Sequence, residues 1–159
     1  GMWMISVNIA GHRFQLRAAA VVVHEGFVLL HRLLGDAFWA LPGGRVEPGE
    51  DGQTTVVREM REELATEVAC TGLLYAVENF FEHAGQANHE IGLYFRVQFE
   101  ADSPLLDKSR DHAGVEGDHR LEFRWFPVAQ LHAVDLRPAF LRDALSQPHL
   151  DFQHIVQRG

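Results

Sequence analysis

Residues 44–66 read GRVEPGEDGQTTVVREMREELAT, a loop opened by glycine and followed by a helix. Asp51 stands as an N-cap for a helix over 52–64. Val56, Val57, Met60 and Leu64 make an apolar stripe at helical spacing, which docks that helix on a sheet. Glu59, Glu62 and Glu63 fall at i, i+3 and i+4, so they share one face, directed largely away from the stripe. Carboxylates this close repel one another, and stability alone does not explain them. A hard divalent cation such as Mg²⁺ removes the penalty, because it takes carboxylate and carbonyl oxygens as ligands. The stretch therefore reads as a metal site suited to phosphate chemistry.

Outward from this segment the chain alternates strands and helices. Residues 13–23 and 27–32 read as two strands of a hairpin, turned at His24-Glu25-Gly26. Residues 34–44 carry Gly35, Pro42 and Gly43-Gly44 and read as loop. Residues 68–81 are one or two strands, 82–89 a polar connection, and 91–99 a strand with Ile91, Leu93, Phe95, Val97 and Phe99 on one face. The charged, glycine-containing residues 100–118 read as a long mobile loop. A strand over 119–126 follows, then a short helix at 128–132 and another over 137–146. This order predicts an α+β or α/β sandwich with a mixed sheet.

Bulk properties exclude several classes. The 159 residues, 47% hydrophobic and 23% charged, suit one domain over 2–159; Gly1 resembles the scar of a cleaved tag and is set aside. No apolar run is long enough to cross a membrane, so no membrane partner is expected. A formal charge of −8 argues against binding a nucleic-acid polymer. The single cysteine, Cys70, sits in an apolar setting and cannot form an internal disulfide, which makes a cytoplasmic location the default. Ten histidines form no HExxH, and one cysteine gives no zinc pattern. The apolar stretch from Trp3 to Ile9 reads as an added edge strand or a homodimer surface.

With Gly43 before it, the opening segment resembles the Nudix box: Gly, five residues, Glu, seven residues, then Arg-Glu-apolar-x-Glu-Glu-x-Gly-apolar. Gly44, Glu50, Arg58, Glu59, Met60, Glu62 and Glu63 match in place, whereas Ala65 and Thr66 stand where the pattern has Gly and an apolar residue. At ordinary residue usage, six fixed identities arise by chance in a chain this long at roughly 10⁻⁵, which discounts coincidence. Residues 39–43, WALPG, also resemble the family's lead-in. The resemblance implies an α/β/α sandwich with a central mixed β-sheet. It also implies hydrolysis of a nucleoside diphosphate linked to a group X, by water attack at phosphorus and with Mg²⁺ (or Mn²⁺ in substitution).

Carried over residue by residue, the resemblance makes Glu59, Glu62 and Glu63 metal ligands, together with the loop of Gly43 and its carbonyl. Gly44 shapes that loop. Glu50 is either a ligand or the partner of Arg58, which braces the loop by a charge-assisted bond. The candidate catalytic set is Glu62, Glu63, Arg58 and a downstream base. Glu122 ranks first for that base, ahead of Glu116, with Glu90 and Glu78 behind. At Ala65 a left-handed helix end would cost about 1 kcal/mol relative to glycine.

The partner implied is a small anionic, nucleotide-type substrate. The proline that accompanies ADP-ribose hydrolases beyond the box is missing, Phe81 and Glu82 standing there, and His83 replaces the tyrosine of dinucleoside polyphosphate hydrolases. Trp39, Phe80, Phe81 and Tyr94 are aromatic residues able to stack a base. The rival expectation is a noncatalytic domain of the same family that senses a nucleotide, and the complete set of acids favours the enzyme.

Overall fold

The computed structural model describes residues 4–159. In chain order the elements are β1 (Ser6–Ile9), β2 (His12–Val21), β3 (Val23–His24), β4 (Phe27–Leu33), β5 (Gly43–Arg45), α1 (Gly52–Leu64), β6 (Val68–His83), β7 (Gln86–Phe99), β8 (His112–Glu116), β9 (His119–Pro127), α2 (Phe140–Ala144) and β10 (Gln153–Arg158). One sheet runs β1-β2-β7-β6-β10, with β5 also on β2; β2 lies parallel to β7 and β10 parallel to β6, while the other pairings are antiparallel. The second sheet, β3-β4-β9-β8, is wholly antiparallel. A mixed central sheet with helices against it is the architecture the sequence pattern predicts.

The run Ala18-Ala19-Ala20-Val21-Val22 explains how two layers form around the strands. All five residues are buried, because alternate side chains enter different cores. Ala18, Ala20 and Val22 pack with Val56 and Met60 of α1 and with Leu29, Val97, Phe123 and Trp125. Ala19 and Val21 pack with Leu30, Tyr75, Tyr94, Leu131, Leu136 and Leu141 on the other side. Val56 and Met60 are completely buried, and each contributes about 1.5–3 kcal/mol of burial free energy. β7 is covered on both faces as well: Phe95, Val97 and Phe99 lie toward α1, and Tyr94 lies in the opposite core.

Helix α1 begins and ends where its caps dictate. The Asp51 carboxylate accepts from the Thr54 amide at 2.7 Å. At the other end Ala65 takes the left-handed conformation, φ 52° and ψ 38°, and its N–H donates to the Arg61 carbonyl. The helix therefore stops at the pattern's glycine position despite the Cβ.

Several expectations need correction. The residues of 82–89 are not a connection: β6 and β7 continue through them and turn at Ala84-Gly85, both at positive φ. A polar tip of a hairpin satisfies its backbone in the ladder while its side chains remain wet. The stretch 100–118 is not one loop, since Pro104–Leu106 forms a 3-10 turn and His112–Glu116 forms β8 against β9. Helix α2 is only Phe140–Ala144, shorter than the 137–146 expected, and β10 carries no periodic signal that would announce it. Ser6–Ile9 is an edge strand on β2, whereas Trp3 lies outside the described residues.

Candidate active site

The glycine loop and α1 meet in close contact, with Gly44 against the Glu59 carboxylate. A Cβ on Gly44 would lie 2.4 Å from the Glu59 carboxylate carbon, and one on Gly43 would lie 2.2 Å from the Ala18 carbonyl oxygen. β5 can therefore lie against β2 at this point only with a glycine at 43, whereas a side chain at 44 would displace the Glu59 carboxylate. Gly43 pairs with Ala19 and is buried, while Gly44 lines the cavity beside it.

Arg58 and Glu50 form one half of the site. The Arg58 guanidinium donates to Glu50 through Nε at 2.8 Å and Nη2 at 2.9 Å, a two-pronged pair. Its Nη1 donates to Glu59 at 2.8 Å and more loosely to Glu62 at 3.4 Å, and Nη2 reaches the Arg45 carbonyl. Glu50 also accepts from the Thr55 hydroxyl at 2.6 Å and the Glu47 amide at 3.2 Å. Hydrogen bonds from Arg58, then from Thr55 and Glu47, outweigh burial and hold the Glu50 carboxyl down at about 2. The same pairing raises Arg58. In this structure Glu50 is the hydrogen-bonding partner of Arg58.

Glu59 and Glu63 form the other half, with opposite electrostatics. Burial pushes both carboxyls up to about 7, and for Glu59 the neighbouring Glu63 adds to the rise. Glu63 is 3% exposed, and neither of its oxygens has a well-formed hydrogen bond. The nearest group of opposite tendency, His31 Nδ1, lies 3.3 Å away and is equally without a partner. Burial first, and then the charge of Arg17, hold His31 down at about 3, so the imidazole is neutral and supplies no counter-charge. Glu59 and Glu63 thus lie buried beneath the loop, contrary to the expectation of a face turned away from the apolar stripe. Only Glu62 is open to solvent, its side chain 49% exposed.

These groups line a cavity of about 420 Å³ with Gln15, Arg17, Arg45, Glu90 and Glu116. Among the described residues no three His, Cys, Asp or Glu side chains gather closely enough to form a ready cation cage. What the structure presents is a close buried pair, Glu59 and Glu63, with three further acids, Glu62, Glu90 and Glu116, on the wall. The fit to a cation rests on Glu63, a buried carboxylate whose oxygens lack the donors that such groups require. Glu122 is placed differently. It is held by Arg32 at 3.2 Å and Arg124 at 2.8 Å and does not line this cavity, while Glu116 does. Glu78 is bonded to His154 at the surface.

A larger cavity of about 570 Å³ adjoins the first, with Arg17, Glu90 and Glu116 common to both. Phe38, Phe81 and Tyr94 are among its lining residues. Trp39 belongs to the core, edge-on to Phe126 with the Arg32 guanidinium over its ring. Phe80 stacks with His89 and Arg158. Arg17 and Gln15 escaped the sequence reading; the available signal was a charged residue directly before the buried AAAVV run, where an exposed strand face is excluded.

The sequence profile of the NUDIX domain matches residues 13–146. The chain belongs to the Nudix family. It is 32% identical over 101 residues to a Mycobacterium tuberculosis protein named provisionally as 8-oxo-dGTP diphosphatase 2, a match that spans 64% of this chain and 62% of that relative. Among solved structures, it resembles a NUDIX hydrolase from Nitrosomonas europaea (TM-score 0.64, 19% identity, 91% of this chain and 79% of that one). It also resembles the mutator MutT protein of Bacillus halodurans (TM-score 0.62, 18% identity, 91% and 89%). A structure named UDP-X diphosphatase gives a TM-score of 0.58 at 19% identity over 94% of this chain and 69% of that one. At these identities the structural likenesses establish the Nudix fold.

Proposed function

We propose that this Nudix protein is a divalent-cation-dependent pyrophosphohydrolase acting on a nucleoside diphosphate linked to a group X. The observation that carries the reading is the buried Glu63 carboxylate, set against Glu59 at the wall of an acid-lined cavity and without a well-formed hydrogen bond to either oxygen. Glu59 and Glu63, with Glu62 from the open side, would hold Mg²⁺ or Mn²⁺. When bound, the cation neutralises charge that develops on the phosphoryl oxygens. Arg58 keeps the loop and Glu59 in place through its bonds to both. Glu116 and Glu90 both stand on the wall of the two cavities, and because Glu90 is held by Gln15, Glu116 is the carboxylate assigned to take a proton from the attacking water, in place of Glu122. Water oxygen bonds to one phosphorus, the bridging P–O bond breaks, and a nucleotide and a phosphorylated X leave.

The larger cavity has the size and the aromatic wall for a nucleoside, with Phe38 and Phe81 as stacking surfaces. No helix among the described residues is long and apolar enough to cross a membrane. A cytoplasmic single domain spanning 2–159, with a homodimer as a candidate assembly, belongs to the same proposal. The test is a panel of nucleoside triphosphates including 8-oxo-dGTP, nucleotide sugars, ADP-ribose and dinucleoside polyphosphates, assayed with Mg²⁺ and with chelator. Turnover that vanishes with chelator supports the enzyme. Tight binding with no Mg²⁺-dependent turnover across the panel supports a nucleotide sensor instead.

A further inference from the structure

We propose that Arg17 is the phosphate-gripping residue of this chain, seating the substrate's phosphates where the two cavities meet. This rests on the reading of the acid cavity as a cation and diphosphate site. The placement follows from strand register. β2 and β7 run parallel with Gln15 opposite Glu90, Arg17 opposite Gly92 and Ala19 opposite Tyr94, while β6 places Asn79 opposite Glu90. Side chains alternate along a strand, so Gln15, Arg17 and Ala19 share one face of β2.

The first row of that face is closed. Gln15 Nε2 donates to Glu90 Oε1 at 2.7 Å and Asn79 Nδ2 approaches Glu90 Oε2 at 3.5 Å, all three side chains being buried. In the next row Arg17 lies opposite Gly92, which offers it no side-chain partner and is covered by the Tyr94 ring, so the guanidinium extends to the cavity walls instead.

Arg17 is half-buried, and its Nη2 donates to the Leu41 carbonyl at 2.9 Å. Among the described residues it forms no ion pair, although acids line both cavities around it. The other arginines here are committed: Arg45 to Gln15, Arg32 to Glu122 and Arg137 to Asp135. Arg142 lines the larger cavity alone and does not reach the acid wall. A guanidinium stays charged at any working pH, and its planar fork matches a phosphate with two parallel bonds. A partly buried, unpaired guanidinium between a nucleoside-sized cavity and an acid-lined one calls for an anion that spans both. The diphosphate of the substrate has that length and charge.

The experiment is isothermal titration of the protein with Mn²⁺ alone and then with magnesium pyrophosphate, a probe with no base to recognise. For Arg17→Gln the expected result is unchanged Mn²⁺ affinity and about 10- to 100-fold weaker pyrophosphate binding, the loss of a charged hydrogen-bonded contact. Wild-type protein that fails to bind Mn²⁺ overturns the cation reading underneath. Mn²⁺ binding with pyrophosphate affinity equal in wild type and Arg17→Gln, or absent in both, overturns the role of Arg17 alone. Should the variant melt below the assay temperature, phenylglyoxal labelling of the wild type decides. Arg17 is expected to be protected by magnesium pyrophosphate, and labelling that continues at the same rate contradicts the proposal.

Discussion

Glu50 and Glu63 lie at the two ends of one loop-helix unit, and they are opposites. Glu50 accepts from Arg58 twice, from Thr55 and from the Glu47 amide, and its carboxyl is held down at about 2. Glu63 is buried as deeply as a core side chain, accepts nothing well-formed, and is pushed up to about 7. A carboxylate with a full set of donors is finished within the protein and acts as a brace. One without them is completed by something from outside. On the proposed reading the box separates into a bracing half, Glu50 and Arg58, and a half that would hold the cation, Glu59 and Glu63 with Glu62, linked by the bonds of Arg58 to Glu59 at 2.8 Å and to Glu62 at 3.4 Å.

The largest expected effect is on chemistry without loss of fold. Glu63→Gln should lower Mg²⁺-dependent turnover by about a thousandfold, the several kcal/mol that cation stabilisation supplies. Its thermal midpoint without metal should equal or exceed the wild type's, because a buried charge without partners has been removed. A midpoint several degrees lower would make Glu63 a brace like Glu50.

The structural half should behave in the reverse way. Arg58→Ala leaves Glu50 and Glu59 without their cation and is expected to cost about 3 kcal/mol in urea unfolding, as for breaking a buried pair. A change within error would show that the brace is dispensable.

The pH dependence of metal-free stability should separate the halves by sign. Glu50 has a lowered folded-state pKa, so its contribution is present above about 4.5 and is lost as pH falls toward 2. Glu59 and Glu63 have raised pKa values, so the fold binds their protons more tightly than the unfolded chain, and stability falls as pH rises from about 4.5 to 7. The thermal midpoint in chelator should accordingly decline over that window, and added Mg²⁺ should raise it more at pH 7.5 than at pH 5. A midpoint flat from pH 4.5 to 7.5, with or without Mg²⁺, would contradict the division.

The smallest effect concerns the helix end. Ala65 sits at φ 52°, so Ala65→Gly should stabilise by about 0.5–1 kcal/mol in urea unfolding, with turnover unchanged. A loss of stability would mean that the Cβ makes a contact worth more than the backbone strain.

Helix α1 was legible because its signals agree: the Asp51 cap, the Val56-Met60 stripe and the spacing of the acids all point to 52–64. Depth was not legible. Whether an acid at i or i+4 faces water depends on what lies over it, and here β5 covers Glu59 through Gly44, a contact made 15 residues away in the chain. Glu116 and Glu122 belong to one hairpin, and local pattern cannot say which of its ends meets α1; the register Ala113↔Glu122 and Glu116↔His119 places Glu116 at the turn end. β8 hid among charged residues because HAGVE has no apolar run, its burial coming from His112 and Gly114 alone. Arg17 reads in the sequence as part of a strand, and its place where two acid-lined cavities meet is visible only in three dimensions.

The central claim is that Glu59 and Glu63 form a cation site while Glu50 does not. Isothermal titration of Mn²⁺ into wild type, Glu63→Gln and Glu50→Gln at pH 7.5 tests it directly. The expected result is binding to the wild type, a loss of at least tenfold in affinity for Glu63→Gln, and retained affinity in Glu50→Gln. Equal affinity in wild type and Glu63→Gln, or loss only in Glu50→Gln, would contradict it.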